Sequence, residues 1–190
     1  WDASAGMVDE KALAGRRCHG GLDLASVEDV AAFALAFPGE DGTFDALWRF
    51  WLPEDRRRDL AKRTAGESEV WVREGFLRLT PGAVIDNVAA VVADAERFDL
   101  RTVGYDRWGA TDVVRRLGES GVDCVPLGQG YATMSPPLQE ALRLVQSGAL
   151  RHGGNPVMRW MVDNLTVATD PAGNVKPDKS KAADKIDGVP

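Results

Sequence analysis

Three apolar runs, residues 18–25, 28–37 and 43–52, follow one another with little between them but turn chemistry. The breaks fall near Ser26-Val-Glu28 and at Pro38-Gly-Glu-Asp-Gly42. Strand-length runs joined by such short turns predict an antiparallel meander. From Phe76 the pattern changes. Leu77-Arg-Leu-Thr80 reads as a short strand, and Pro81 to Phe98 as a helix. Within that helix Val84, Val88, Val91, Val92, Ala95 and Phe98 recur near a 3.6 period. A strand (102–106), a helix (110–120), a strand (123–127) and a helix (136–147) follow, with connections that favour right-handed parallel crossovers. Helical text also covers 56–64, 69–74 and 155–164. Residues 165–169 and 174–176 read as a hairpin about Asp170-Pro-Ala-Gly173. The fold class is therefore α/β: a mixed sheet, meander first and β-α-β-α after it, flanked by helices.

At 190 residues, 44% hydrophobic and 27% charged, the chain suits one domain with a real core. Its net charge of −6 offers no overall electrostatic footprint for nucleic acid. That does not exclude a nuclease, because clustered active-site carboxylates are themselves negative. Two cysteines form no disulfide framework, which favours a reduced, intracellular setting. No apolar run approaches the ~20 residues of a membrane span, and no signal peptide is visible. Residues 1–17 are small and polar and read as a linker or lead-in from a preceding domain. The start at Trp1 and the stop at Ile186-Asp-Gly-Val-Pro190, where a helix is only beginning, read as a piece of a longer protein.

A few acids fall where charge is costly. Asp23 interrupts the apolar strand after His19-Gly-Gly-Leu22, where an unpaired carboxylate would cost several kcal/mol, so a partner is expected. Asp106 ends the strand Thr102-Val-Gly-Tyr, at the strand end that faces the ligand crevice in open α/β sheets. Its plainer role is an N-cap for the following helix. Asp187, in Lys185-Ile-Asp-Gly-Val189, reads locally as an ordinary acid in a first helical turn. Carboxylates on separate elements suit hard, oxygen-loving cations, and two such ions roughly 4 Å apart serve phosphodiester hydrolysis.

The phrases Gly20-Gly-Leu-Asp23-Leu-Ala-Ser26, Gly104-Tyr-Asp106-Arg-Trp-Gly-Ala110, Met134-Ser-Pro-Pro-Leu-Gln-Glu140, Leu150-Arg-His-Gly-Gly-Asn-Pro-Val-Met-Arg-Trp-Met161 and Lys176-Pro-Asp-Lys-Ser-Lys181…Ile186-Asp-Gly-Val189 occur in that order. Together they resemble the C-terminal nuclease domain of the large terminase subunit of tailed bacteriophages, from about residue 18 onward. The resemblance implies a ribonuclease H-like fold, with Asp23, Asp106 and Asp187 as catalytic, metal-binding acids for two Mg²⁺ or Mn²⁺ ions. It implies a metal-dependent endonuclease cutting concatemeric double-stranded DNA with low sequence preference, in the cytoplasm of an infected bacterial host. The implied partners are the DNA, a small terminase subunit and the capsid portal. By the same resemblance residues 18–190 are the nuclease domain, short of its last helix, and 1–17 lead in from an ATPase domain. No Gly-x-x-x-x-Gly-Lys-Ser/Thr motif occurs in this chain.

Other features have ordinary explanations beside the functional ones. Arg56-Arg-Arg58 with Lys62 and Arg63 reads as a solvated helix face, whereas Lys176, Lys179, Lys181 and Lys185 read as a DNA-facing loop. Cys18, His19, Cys124 and His152 lack zinc-site spacing. Trp48 and Trp51 read as core, and Trp108 as packing near Asp106. Ser26 and Asp29 suit a turn, Asp29 also standing as a fourth, lesser acid. Two rival readings are a nucleotide-binding module of the actin and sugar-kinase type, which lacks its second glycine-rich loop here, and an inactive docking fragment.

Overall fold

The computed structural model describes residues 1–24, 29–106, 109–178, 184 and 186–188. The turn expected at Ser26, Trp108, and Lys179, Lys181 and Lys185 lie outside the described residues. Strands β1 (Arg17–Asp23), β2 (Ala31–Pro38) and β3 (Phe44–Pro53) form the expected antiparallel meander. Strand β5 (Asp99–Tyr105) pairs parallel with β1, and β6 (Asp123–Pro126) parallel with β5. Strand β4 (Arg78–Thr80) adds to β3, so the order is β4-β3-β2-β1-β5-β6. A two-residue β7 (Leu150–Arg151) also lies against β3. Strands β8 (Val167–Thr169) and β9 (Val175–Pro177) make the separate hairpin.

The helices are α1 (Arg57–Arg63), α2 (Glu67–Glu74), α3 (Asn87–Ala95), α4 (Thr111–Glu119), α5 (Tyr131–Gln146) and α6 (Pro156–Asp163). Helix α3 starts later than the apolar spacing suggests. Asp86 caps it, its side chain accepting from the Ala89 N–H at 3.0 Å, and Gly82 turns the chain beforehand at φ 77°. Helix α5 starts earlier, with the Thr133 and Met134 N–H groups donating to the Gly130 carbonyl. Pro136 and Pro137 therefore lie inside this helix rather than opening it. Asn155 caps α6 by accepting from the N–H groups of Val157 and Met158 at 3.0 and 3.1 Å.

Side chains alternate between sheet faces, so each face has its own core. Cys18, Leu22, Phe33, Leu35, Phe37 and Val103 pack beneath Val91 of α3 and Val113 and Leu117 of α4. On the opposite face Ala32, Phe50 and Leu52 pack with Leu60 of α1, Trp71 of α2 and Met158 and Met161 of α6. Residues 1–16 lie along this body. Leu13 is buried, the Gly15 N–H donates to the Arg97 carbonyl, and Glu10 pairs with Arg49 at 2.7 Å and Arg97 at 2.6 Å. Arg49 also reaches buried Asp94 on α3 at 3.1 Å, with Arg78 on the second carboxylate oxygen. Burial alone would raise the Asp94 carboxyl, but the two guanidinium groups outweigh it and hold the group below the ordinary range.

Candidate active site at the ends of strands β1 and β5

Parallel pairing brings two strand ends to one edge of the sheet. Gly21 lies beside Gly104 and Leu22 beside Tyr105. The next residue of each strand is an aspartate. Asp23 closes β1, and Asp106 follows β5, its N–H donating to the Leu22 carbonyl at 3.5 Å. Both are half-buried, and both continue the row parity of Gly21 and Gly104, so they share a face. Asp106 is not the helix cap that its position also suggested: α4 is preceded by Ala110 and has no side-chain cap.

The two aspartates line a cavity of about 280 Å³. Its floor holds Gly20, Gly21 and Gly104, its wall Leu127, Gln129 and Met134, and its rim Lys176, Pro177 and Asp178. Gly104 permits a close approach: a Cβ there would lie 2.7 Å from Leu127 Cδ1. Leu127 is drawn in because its N–H donates to the Tyr105 carbonyl at 2.8 Å. The rim belongs to the β8–β9 hairpin. Asp170 ties its turn, accepting from the N–H groups of Ala172 and Asn174 and from the Asn174 amide, each at 2.9 Å. These donors, the Asn174 side chain foremost, hold the Asp170 carboxyl below its usual range. The Val175 N–H donates to buried Ser135 on α5 at 3.1 Å, and the Asp178 N–H to the Thr166 carbonyl at 2.8 Å.

Asp187 has a different setting. It is buried in a turn with Gly188, next to Ile186 at 1% exposure. The Gly188 N–H contacts Met161 Sδ at 3.0 Å, and its carbonyl accepts from Trp48 Nε1 at 3.3 Å. A Cβ on Gly188 would lie 2.8 Å from Met158 Sδ and 2.9 Å from the Phe50 ring. Phe50 shares a register row with Ala32, and Ala32 with Asp23. The segment thus rests on the face that carries Asp23, two strands away, about 10 Å at the usual strand spacing. Asp187 does not line the cavity, nor does Asp29, and among the described residues no three His, Cys, Asp or Glu side chains gather as a metal-binding group.

The soft ligands are dispersed. Cys18 is buried in the core, where burial and then the Asp99 charge push its thiol up to about 11. His19 is bonded to Thr102 Oγ1 at 2.7 Å, and Cys124 lies near the Val114 and Val122 carbonyls. His152 is buried and stacked on Trp1, with ring centroids 3.8 Å apart. Trp51 is core, whereas Trp48 is half-buried. Reasoning from sequence missed Gln129 and Asp178 as cavity residues. The available signal was alternation on β9, which gives Lys176 and Asp178 the same side of the hairpin.

The family model "Terminase large subunit, endonuclease domain" matches residues 1–189. The chain belongs to this terminase family. It is 36% identical over 182 residues to the large terminase subunit of Enterobacteria phage HK97, covering 92% of this chain and 36% of that protein. It is 32% identical to protein YmfN of Escherichia coli K12, covering 92% of this chain and 41% of that one. The chain thus spans about two fifths of the length of these relatives. The crystal structure of the HK97 large terminase superposes with a TM-score of 0.86 over 99% of this chain and 40% of that one, at 35% identity. The large terminase nuclease of thermophilic phage G20c, solved with bound magnesium, shares the fold at TM-score 0.57 and 15% identity, over 93% of this chain and 79% of that one. The sheet is accordingly the ribonuclease H-like one of terminase nuclease domains, and the actin and sugar-kinase reading is set aside. Among the described residues no helix is long and apolar enough to cross a membrane.

Proposed function

We propose that the chain is a metal-dependent endonuclease domain that hydrolyses phosphodiester bonds of concatemeric double-stranded DNA during viral genome packaging. The observation that carries this reading is the pair Asp23 and Asp106, brought to one face at adjacent strand ends above a cavity. Their donor set fits a hard cation such as Mg²⁺ or Mn²⁺: carboxylate oxygens border the cavity, while the thiols and imidazoles lie elsewhere. Two divalent ions, when bound, supply an activated water and a charge clamp on the phosphate. Asp23 and Asp106 hold acceptor oxygens on a rigid sheet. Gly21 and Gly104 leave depth for the sugar-phosphate backbone, and Leu127 and Met134 limit water. Asp187 is the third acid of this reading, on the face that carries Asp23.

Low sequence preference fits the charged chemistry of the described lining, carboxylates and the Lys176 ammonium, which addresses a backbone rather than base edges. The small terminase subunit, the capsid portal, an ATPase domain ahead of residues 1–17 and the host cytoplasm belong to this reading through the family.

The test is plasmid cleavage with Mn²⁺, Mg²⁺ or EDTA, for the native chain and Asp106→Ala. Metal-dependent nicking or linearisation, lost in the variant, is expected. Cleavage that survives Asp106→Ala, or an equal rate in EDTA, would sink the reading. A native chain that binds partners without ever cutting would instead favour the inactive docking fragment.

A further inference from the structure

The geometry points to Lys176 as a DNA-anchoring residue, whose ammonium takes a non-bridging oxygen of a backbone phosphate laid across the cavity. This rests on the cavity being the cutting site proposed above. Lys176 is the one cation among the described residues that line it, together with the acids Asp23, Asp106 and Asp178. Its contacts are unusual for a lysine among acids. Nζ donates to the Gln129 carbonyl at 3.4 Å and stands 5.0 Å from the centre of the Tyr131 ring. Both partners are uncharged, so they aim the ammonium without neutralising it. An ammonium carries three donors, and one carbonyl occupies one of them. Two N–H groups and a full positive charge are left for an anionic ligand, and phosphate is what a compact point charge of this kind receives well.

The hairpin has other ties beside those of Lys176. Its neighbours Val175 and Asp178 donate their N–H groups to Ser135 Oγ and to the Thr166 carbonyl, and Asp170 closes its turn. The division of labour is then electrostatic: Asp23 and Asp106 at the strand ends gather cations, and the ammonium on the hairpin sets where the duplex backbone rests.

The experiment measures duplex binding by fluorescence anisotropy in Ca²⁺ across a salt series, cleavage in Mn²⁺, and thermal unfolding. The proteins are the native chain, Lys176→Ala, Lys176→Arg and, as a surface control, Lys62→Ala. Lys176→Ala is expected to weaken binding on the order of threefold to tenfold and to lower the slope of log K against log salt by about one. KM should rise more than kcat falls, Lys176→Arg should restore the slope, and the unfolding temperature should not move. An unchanged slope in Lys176→Ala while the native chain cuts normally overturns the anchoring role alone. So does a loss that follows a lowered unfolding temperature and that arginine fails to restore, or an equal loss in Lys62→Ala. A native chain that neither binds duplex nor cuts it overturns the nuclease reading itself.

Discussion

Asp23 and Asp106 on one side, and Asp187 on the other, reach the same face of the sheet by opposite means. Asp23 closes β1 and Asp106 directly follows its parallel neighbour β5, so the backbone ladder up to Leu22 and Tyr105 sets them side by side. Asp187 is carried by a turn whose position depends on side-chain contacts: Gly188 against Phe50 and Met158, and an indole N–H on its carbonyl. A ladder fixes spacing through repeated backbone bonds, whereas a turn seated on a core inherits the adjustments of that core. Two carboxylates of the proposed site are therefore built rigidly, and the third is adjustable.

The largest effects should come from the acids themselves. Asp23→Ala and Asp106→Ala are expected to reduce cleavage on the order of a thousandfold, equivalent to several kcal/mol of transition-state stabilisation, with thermal unfolding nearly unchanged. Asp187→Asn should also cut the rate. Full activity in Asp187→Asn beside dead Asp23 and Asp106 variants would break the comparison by removing the adjustable member.

Gly188→Ala sharpens it. The added methyl collides with Met158 and Phe50, and overpacking of this kind costs about 1–3 kcal/mol. Denaturant titration should show that loss, and cleavage should fall further than the lost folded fraction accounts for. A stability loss with an unaltered rate per folded molecule would detach the segment from the chemistry.

Trp48→Phe removes the donor to the Gly188 carbonyl. A loss of about 0.5–1.5 kcal/mol is expected, with slower cutting and unaltered duplex affinity. Equal losses in rate and affinity would argue that the segment contacts DNA rather than the reacting phosphate.

The smallest effect is one of pH. His152 is buried against Trp1, itself edge-on to Trp48 at 5.7 Å, and burial first of all lowers the His152 pKa below its ordinary 6.5. The unfolded chain takes up this proton first as pH falls, so the contribution to stability is complete above about pH 6.5 and declines below it, until the folded-state pKa is passed. An NMR titration should move the Trp48 indole N–H between pH 7.5 and 5.5 and leave the Gly21–Gly104 ladder still. Movement of both together would show that the two regions are one unit.

The sequence carried the rigid half of this architecture and little of the adjustable half. Apolar runs separated by Pro38–Gly42 foretold the meander, and the strand positions of Asp23 and Asp106 foretold that they could meet, because ladder geometry is local and periodic. The start of α3 was hidden by Val84 and Ile85, which extend the apolar pattern ahead of the cap Asp86. That of α5 was hidden by Pro136-Pro137, which resemble a helix opening. Strand β7 has two residues and no period to detect. The seat of Asp187 rests on a bond between Trp48 and Gly188, 140 residues apart, and nothing in either local sequence announces it. Lys176 was visible as a basic residue, but its carbonyl and its ring became neighbours only through folding.

Gly188 has one further consequence. With no room for a side chain between its backbone and the layer of Phe50 and Met158, that layer acts as a gauge block: its thickness sets the height of the Asp187 carboxylate over the sheet. On the proposed function, with Asp187 as its third acid, variation deep inside the protein, at Phe50, Met158 or Met161, should then register as a change in catalytic rate before any change in what the surface binds. In a lineage of such chains, tuning of cutting speed should be written in buried residues that never meet DNA.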